Sequence, residues 1–301
     1  MGVKTEQFQN RHAYLLLIHE ISTSLEFLMK ILDDEKNDFY IHIDKKAKNV
    51  SRTQIRAYVK KSKVCFVSPV KVYWGHSSMI KAEMKLLQSA LKGQYDYYHV
   101  MSGADMPIKS KEEIFAFFLK NHGKEFVQLG TEQYQMDIAG RYSKYHFFVK
   151  QLGRTWESSF WRNMHGYSLA IQRRLHIDRK KKGIQYCGGP QWCSLTHEFA
   201  SFCVQFYRKN RGMFRFTQIP DEWMIQTMLM NSPYAKNLYL GEKTNDPHAC
   251  MRWIDWERGN PYVFQAEDMD MLLNSEYLFA RKFSDQVDDS ICEKIYIRLT
   301  L

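Results

Sequence analysis

A chain of 301 residues with 45% hydrophobic content holds enough apolar matter for one large α/β core or two small ones, which excludes a disordered protein. Lys and Arg exceed Asp and Glu by ten, so the long-range field draws anions such as nucleotide diphosphates, nucleic acid or an acidic membrane surface. The six cysteines, Cys65, Cys187, Cys193, Cys203, Cys250 and Cys292, are scattered without a CxxC or a paired metal spacing, which excludes a zinc module and fits reduced thiols.

The opening residues 1–10 are polar, and the apolar run 13–18 falls far short of the ~20 residues a membrane span needs. A soluble, cytoplasmic protein is expected, free to touch a membrane from that side. Residues 14–18 (YLLLI) read as a buried strand, 22–32 as an amphipathic helix and 39–43 as a second strand ending at Asp44. A third strand is predicted at 63–67, a long helix at 77–91, and a fourth strand at 97–101 that stops at Ser102-Gly103. Strands alternating with helices predict an α/β fold, a mostly parallel sheet with helices on both faces. In such sheets ligands bind beyond the carboxyl ends of the strands, where Asp44, Trp74-Gly75 and Ser102-Gly103-Ala104-Asp105 would gather.

A helix at 111–120 and a strand at 125–129 continue the pattern. Residues 141–177 are rich in aromatic and basic residues without a clear period, and are expected to be helices and loops. A helix is predicted at 222–231. No repeat or linker separates the halves, so one composite domain over 1–301 is expected, with a ligand-binding part of about 1–110 on the strand ends and the remainder at about 111–301. Aromatics make up 15% of the chain, which leaves rings over for stacking on sugar or base.

Five ordered segments resemble the core-2/I-branching β-1,6-N-acetylglucosaminyltransferase family, which also holds the peptide O-xylosyltransferases. They are 39–45 (FYIHIDK), 74–78 (WGHSS), 97–109 (YYHVMSGADMPIK), 188–192 (GGPQW) with 219–222 (IPDE), and 251–258 (MRWIDWER) through 279–283 (FARKF). The resemblance implies a GT-A-like fold, a UDP-sugar donor, a glycan acceptor, inversion at the anomeric carbon, and neither cofactor nor divalent metal; it suggests a soluble bacterial member. Where most GT-A enzymes hold a metal with an Asp-x-Asp pair, this chain reads Ser102-Gly103-Ala104-Asp105. Asp268-Met269-Asp270 has the spacing but lies near the carboxyl end, and a solvated helix start is its expected role.

An inverting transfer needs one carboxylate to take the acceptor proton. Glu222 matches the family's catalytic glutamate, although acidic residues also favour first helical turns for dipole and capping reasons, and Asp221 is expected to be a cap. Arg258 and Lys282 match the family's phosphate-contacting cations, with Arg281 beside Lys282 as in the xylosyltransferases. Asp44, Trp74, Gly75, Ser102 and Asp105 would serve the donor nucleotide, turn-forming roles being the alternative for Asp44 and Asp105 and core closure for Trp74. Gln191 and Trp192 would contact the acceptor; xylosyltransferases tend to read GSDW there, so Gln191 departs from them. N-acetylglucosamine is the first expected donor sugar and xylose the second, since FARKF looks more like that branch.

The run Arg173, Arg174, Arg179, Lys180, Lys181 and Lys182 would suit peripheral membrane contact and a lipid-linked glycan acceptor, or be a solvated face. The histidines show no metal-binding spacing, and His12, His19, His42 and His99 are expected to be core groups. A nucleic-acid-binding protein is the rival of another class, but no binding module or basic patch interleaved with exposed rings supports it. Intact Glu222, Arg258 and Lys282 argue against a catalytically dead relative.

Overall fold

The computed structural model describes residues 8–241 and 243–301; the opening residues 1–7 lie outside them. In chain order the elements are β1 His12–Ile18, α1 Thr23–Ile31, β2 Asn37–Ile43, α2 Arg52–Arg56, β3 Lys63–Phe66 and α3 Ser78–Ala90. There follow β4 Tyr97–Ser102, β5 Asp105–Pro107, α4 Lys111–Lys120, α5 Glu132–Ser143, α6 Val149–Leu152 and α7 Ser159–Arg174. The last part comprises β6 Cys193–Thr196, α8 His197–Asn210, α9 Met224–Met230, β7 Arg252–Ile254, α10 Met269–Asn274, β8 Phe279–Arg281 and α11 Ile291–Thr300.

The main sheet has the order β3-β2-β1-β4-β6; its first four strands are parallel and β6 runs antiparallel to β4. Side chains alternate between the faces of a strand, and β1 shows what each face packs against. Ala13 and Leu15 join Ile80, Met84 and Leu87 of α3 with Phe199 of α8 and Met228 of α9. Tyr14 and Leu16 join Leu25 and Leu28 of α1, Phe118 of α4 and Ile295 of α11. Because both faces are covered, the strand reads as an unbroken apolar run. This is the α/β, GT-A-like architecture expected above. Serine and threonine hydroxyls set several helix starts, with a full capping box between Ser110 and Glu113 at α4.

Two local expectations change. Residues 125–129 are not a strand: Glu125 bridges Leu238 and Phe126 bridges Ser194 one residue at a time, while the Glu125 carboxylate accepts from Thr196. The apolar run there reports burial, which periodicity cannot separate from pairing. The helix expected at 222–231 is split. Pro220–Glu222 form a single 3₁₀ turn and α9 starts only at Met224, because Trp223, fully buried against Phe214 and Tyr142, has φ −149°.

A small second sheet, β5-β8-β7, joins residues far apart in sequence. Since β6 completes the main sheet and β8 pairs with β5, the segments before and after residue 110 interleave. His12 and His99 form a buried chain with Ser194, His99 Nε2 lying 3.0 Å from His12 Nδ1 and His99 Nδ1 2.7 Å from Ser194 Oγ. Burial pushes both imidazoles down, His12 to about 3, so they are neutral core groups. His42 is likewise buried, whereas His19 stands in water.

Candidate active site

The carboxyl end of β4 turns through Ser102 into β5, and the turn is held by Asp105. Its carboxylate accepts from the Ser102 amide at 2.6 Å and from the Arg281 guanidinium at 2.6 Å; Arg281 also donates to Ser102 Oγ. The register of β5 against β8 sets Asp105 opposite Arg281. The guanidinium lies 4.4 Å from the centroid of the Trp192 ring, so Ser102, Asp105, Trp192 and Arg281 form one group.

Glu222 lies in a second group, joined to the first through the backbone of residues 189–192. Its carboxylate accepts from Arg141 Nη1 at 2.6 Å and from the Tyr134 hydroxyl at 3.3 Å. Its carbonyl accepts from the Gly189 amide at 2.8 Å, which leads directly to Gln191 and Trp192. Ile219 donates to the Gly75 carbonyl at 2.7 Å, bringing the Trp74-Gly75 turn beside the Pro220–Glu222 turn. Gly75 has φ +67°, a conformation that favours glycine, and a Cβ there would lie 3.3 Å from Ile219 Cγ1. Trp74 is 40% exposed, so it does not close the core. The Glu222 side chain is half-exposed and spends its hydrogen bonds on Arg141 and Tyr134 rather than on capping a helix. Arg141 and Tyr134 escaped sequence reasoning, although a spacing of seven residues puts both on one face of α5.

Behind Glu222 the core is acidic. Glu83 of α3 is fully buried and accepts from Gln191 Nε2 at 3.0 Å, so the Gln191 amide is committed to the interior. Asp221 is buried too, and forms no cap: Trp223, not Asp221, holds the position before α9, and no side chain caps that helix. Burial pushes Glu83 up to about 8 and Asp221 up to about 7, with the neighbouring Asp221 and Glu222 charges adding to the respective rises. Both groups are therefore protonated in the fold over a range where the unfolded chain has released its protons. Their stabilising effect is full below the ordinary carboxylate range and is lost as pH rises towards about 8. Glu83→Gln is expected to flatten the fall of unfolding free energy between about pH 5 and pH 8, measured by urea titration across that range. An unchanged slope would mean that Glu83 is ionised in the fold.

The three expected phosphate cations differ in their surroundings. Arg281 is held by Asp105. Arg258 is held by Asp255 at 2.5 Å and by Asp268 at 2.7 Å, and lies 4.0 Å from the Tyr262 ring centroid. Asp268 is thus a buried anchor, not a solvated helix start, and only Asp270 stands in water. Lys282 has no carboxylate within ion-pair distance among the described residues. Burial and the nearby Arg281 and Arg154 cations lower its pKa. The Phe264 amide donates to the Lys282 carbonyl, which ties the Arg258 loop to this strand end.

Asp44 bridges two loops, accepting from the amides of Lys46 at 2.9 Å and Val72 at 3.3 Å, a turn-forming role. The Lys46 and Lys150 ammonium groups each lie 4.7 Å from the centroid of the Tyr73 ring, next to Trp74. The mouth therefore combines the half-exposed Glu222 carboxylate, two exposed or half-buried tryptophans and several cations. Such a set can take a proton from a hydroxyl, stack on a ring and hold an anion. Among the described residues no cluster of three or more His, Cys, Asp or Glu is arranged to hold a metal.

The sequence model for the Core-2/I-Branching enzyme family matches residues 12–272. This chain belongs to that family. The Core-2/I-Branching enzymes are glycosyltransferases, as the resemblance of the five segments implied. Similar relatives are xylosyltransferase 2 of Canis lupus familiaris, 26% identical over 311 residues, covering 94% of this chain and 33% of that protein, and xylosyltransferase 1 of the same species, 23% identical over 313 residues, covering 93% and 30%. The chain thus spans about a third of the length of these relatives. The crystal structure of mouse xyloside xylosyltransferase 1 in its apo form aligns over 89% of this chain and 96% of that one, at 12% identity and a TM-score of 0.36.

Proposed function

We propose that this member of the Core-2/I-Branching enzyme family transfers a sugar from a UDP-linked donor to a hydroxyl of a glycan acceptor, with inversion and without a divalent metal. The observation that carries this reading is the Glu222 carboxylate, held by Arg141 and Tyr134 and linked through Gly189 to the Trp192–Arg281 pair. Glu222 is the general base, taking the acceptor proton as the oxygen attacks the anomeric carbon. Unlike Asp105, which lies under Arg281, and Asp221, which is buried, Glu222 is half-exposed and open to an acceptor hydroxyl, as the base of a single displacement must be. Lys282 meets the negative charge that grows on the leaving diphosphate. Trp74 and Gly75 border the donor, and Trp192 faces sugar or acceptor.

Metal independence is supported by the state of Asp105, whose carboxylate already receives a guanidinium where a metal-binding carboxylate would need free lone pairs. Of the two donor sugars, the relatives' names favour xylose over N-acetylglucosamine.

The test is thermal unfolding with a panel of UDP-sugars in excess EDTA, followed by transfer to a glycan acceptor. A bound donor raises the melting temperature in proportion to its affinity. At least one UDP-sugar is expected to stabilise the protein and to be transferred in EDTA. Activity lost on chelation and restored by manganese would overturn the metal-independent reading, and a panel without any stabilising member would overturn the donor class.

A further inference from the structure

Helix α7 carries an exposed apolar stripe. Phe160, Met164, Tyr167 and Ile171 recur at helical spacing on one side, continued by Leu175, and all five are exposed, Phe160 at 62%, Tyr167 at 67%, Ile171 at 58% and Leu175 at 63%. The opposite requirement, burial, is met by His165 and Gln172, which face the protein. Beside the stripe Phe147 and Phe216 are exposed as well, their rings 5.3 Å apart, and an apolar groove of about 470 Å³ runs between Phe147 and Ile171. Exposed apolar surface of this extent marks a site of interaction.

Charge says what covers it. Residues 144–182 contain ten Lys and Arg against two acids, Glu157 and Asp178, and so hold eight of the chain's ten net positive charges. Part of this is internal. Arg179 donates to the carbonyls of Phe216 and Met213, Lys180 pairs with Asp178 and Lys181 donates to Asn210. Arg173, Arg174 and Lys182 remain exposed, and Arg215 lies 4.8 Å from the centroid of the Phe216 ring. Large apolar side chains edged by cations are the surface of a helix that lies in the plane of an anionic bilayer, rings in the acyl boundary and cations among the headgroups.

We propose that α7 and the adjoining Phe147 and Phe216 form a docking surface for an anionic membrane. Docking brings the candidate active site to the bilayer, because α6, next in the chain to Phe148, sits with Val149 against the Gly75 turn. The surface is separate from Glu222, Arg281 and Lys282, so its test does not depend on the transferase reading.

The test is flotation of the whole chain with vesicles of phosphatidylcholine mixed with phosphatidylglycerol, and with vesicles of phosphatidylcholine alone. Binding is expected to the mixed vesicles only and to weaken as salt is raised. Tyr167→Ser with Ile171→Ser, and separately Arg173→Ser with Arg174→Ser, should each lower that binding by on the order of tenfold or more. Both pairs are at exposed positions, so melting temperatures should stay as in the unaltered protein. Absence of binding, equal binding to neutral vesicles, or binding indifferent to both pairs of substitutions would overturn the proposal. So would a stable dimer in light scattering that Tyr167→Ser with Ile171→Ser disperses.

Discussion

Glu222→Gln is expected to lower turnover by ~10² to 10⁴ at saturating donor while leaving the affinity for UDP near that of the unaltered protein. Glutamine keeps the reach and can still accept the hydrogen bond that Arg141 donates at 2.6 Å, but cannot take a proton at neutral pH. The split between turnover and affinity separates chemistry from architecture. If Glu222 only fastened α5 to the Pro220–Glu222 turn, its replacement would lower the melting temperature and leave the chemical step alone. Single-turnover transfer with a competent acceptor, read beside thermal unfolding, checks this; near-normal turnover of a folded variant would remove Glu222 as the base.

Lys282→Ala should slow transfer by about 10² or more and weaken UDP binding, as removal of a group that stabilises transition-state charge does. Lys282 is the better cation to test because Arg281 and Arg258 each hold buried carboxylates. Replacing Arg281 would strand Asp105, and replacing Arg258 would strand Asp255 and Asp268, so a loss of activity would be confounded with a loss of fold. Calorimetric titration with UDP and initial rates in EDTA supply the two readouts. Unaltered kinetics in a folded Lys282→Ala protein would move the phosphate site elsewhere.

The main sheet was legible because burial on both faces leaves a plain mark: residues 14–18 are apolar without a break and 39–43 are broken only by His42, and Ser22 or Ser110 at a helix start has a local cause. The small sheet was not, since strands of three residues such as β5 and β8 are too short for any period and are defined by each other. The same distinction divides the site. Motif positions such as Ser102, Asp105, Trp192 and Arg281 were readable one by one, and the structure groups them. What each carboxylate does was not readable: that Asp105 holds Arg281, that Asp268 holds Arg258 and that Glu222 rests on Arg141 follow from tertiary neighbours. Gln191 looked like a contact residue by its place in a motif, and only the packing of α3 turns its amide inward to Glu83.

The pairing of Asp105 with Arg281 spans 176 residues, and this has a meaning for the order in which the protein is made. On the ribosome the strands β1 to β4 are finished long before β8 exists. Closing so long a loop is costly in chain entropy and slow compared with forming local contacts. Asp105 must therefore wait without its cation while the next 176 residues are synthesised. A nascent chain halted before residue 281 already contains the carboxyl ends of β1 to β4, yet it lacks the guanidinium that settles the Ser102 turn and stacks on Trp192. The Ser102 turn and the Trp192 contact are in this way completed only once residue 281 has been translated.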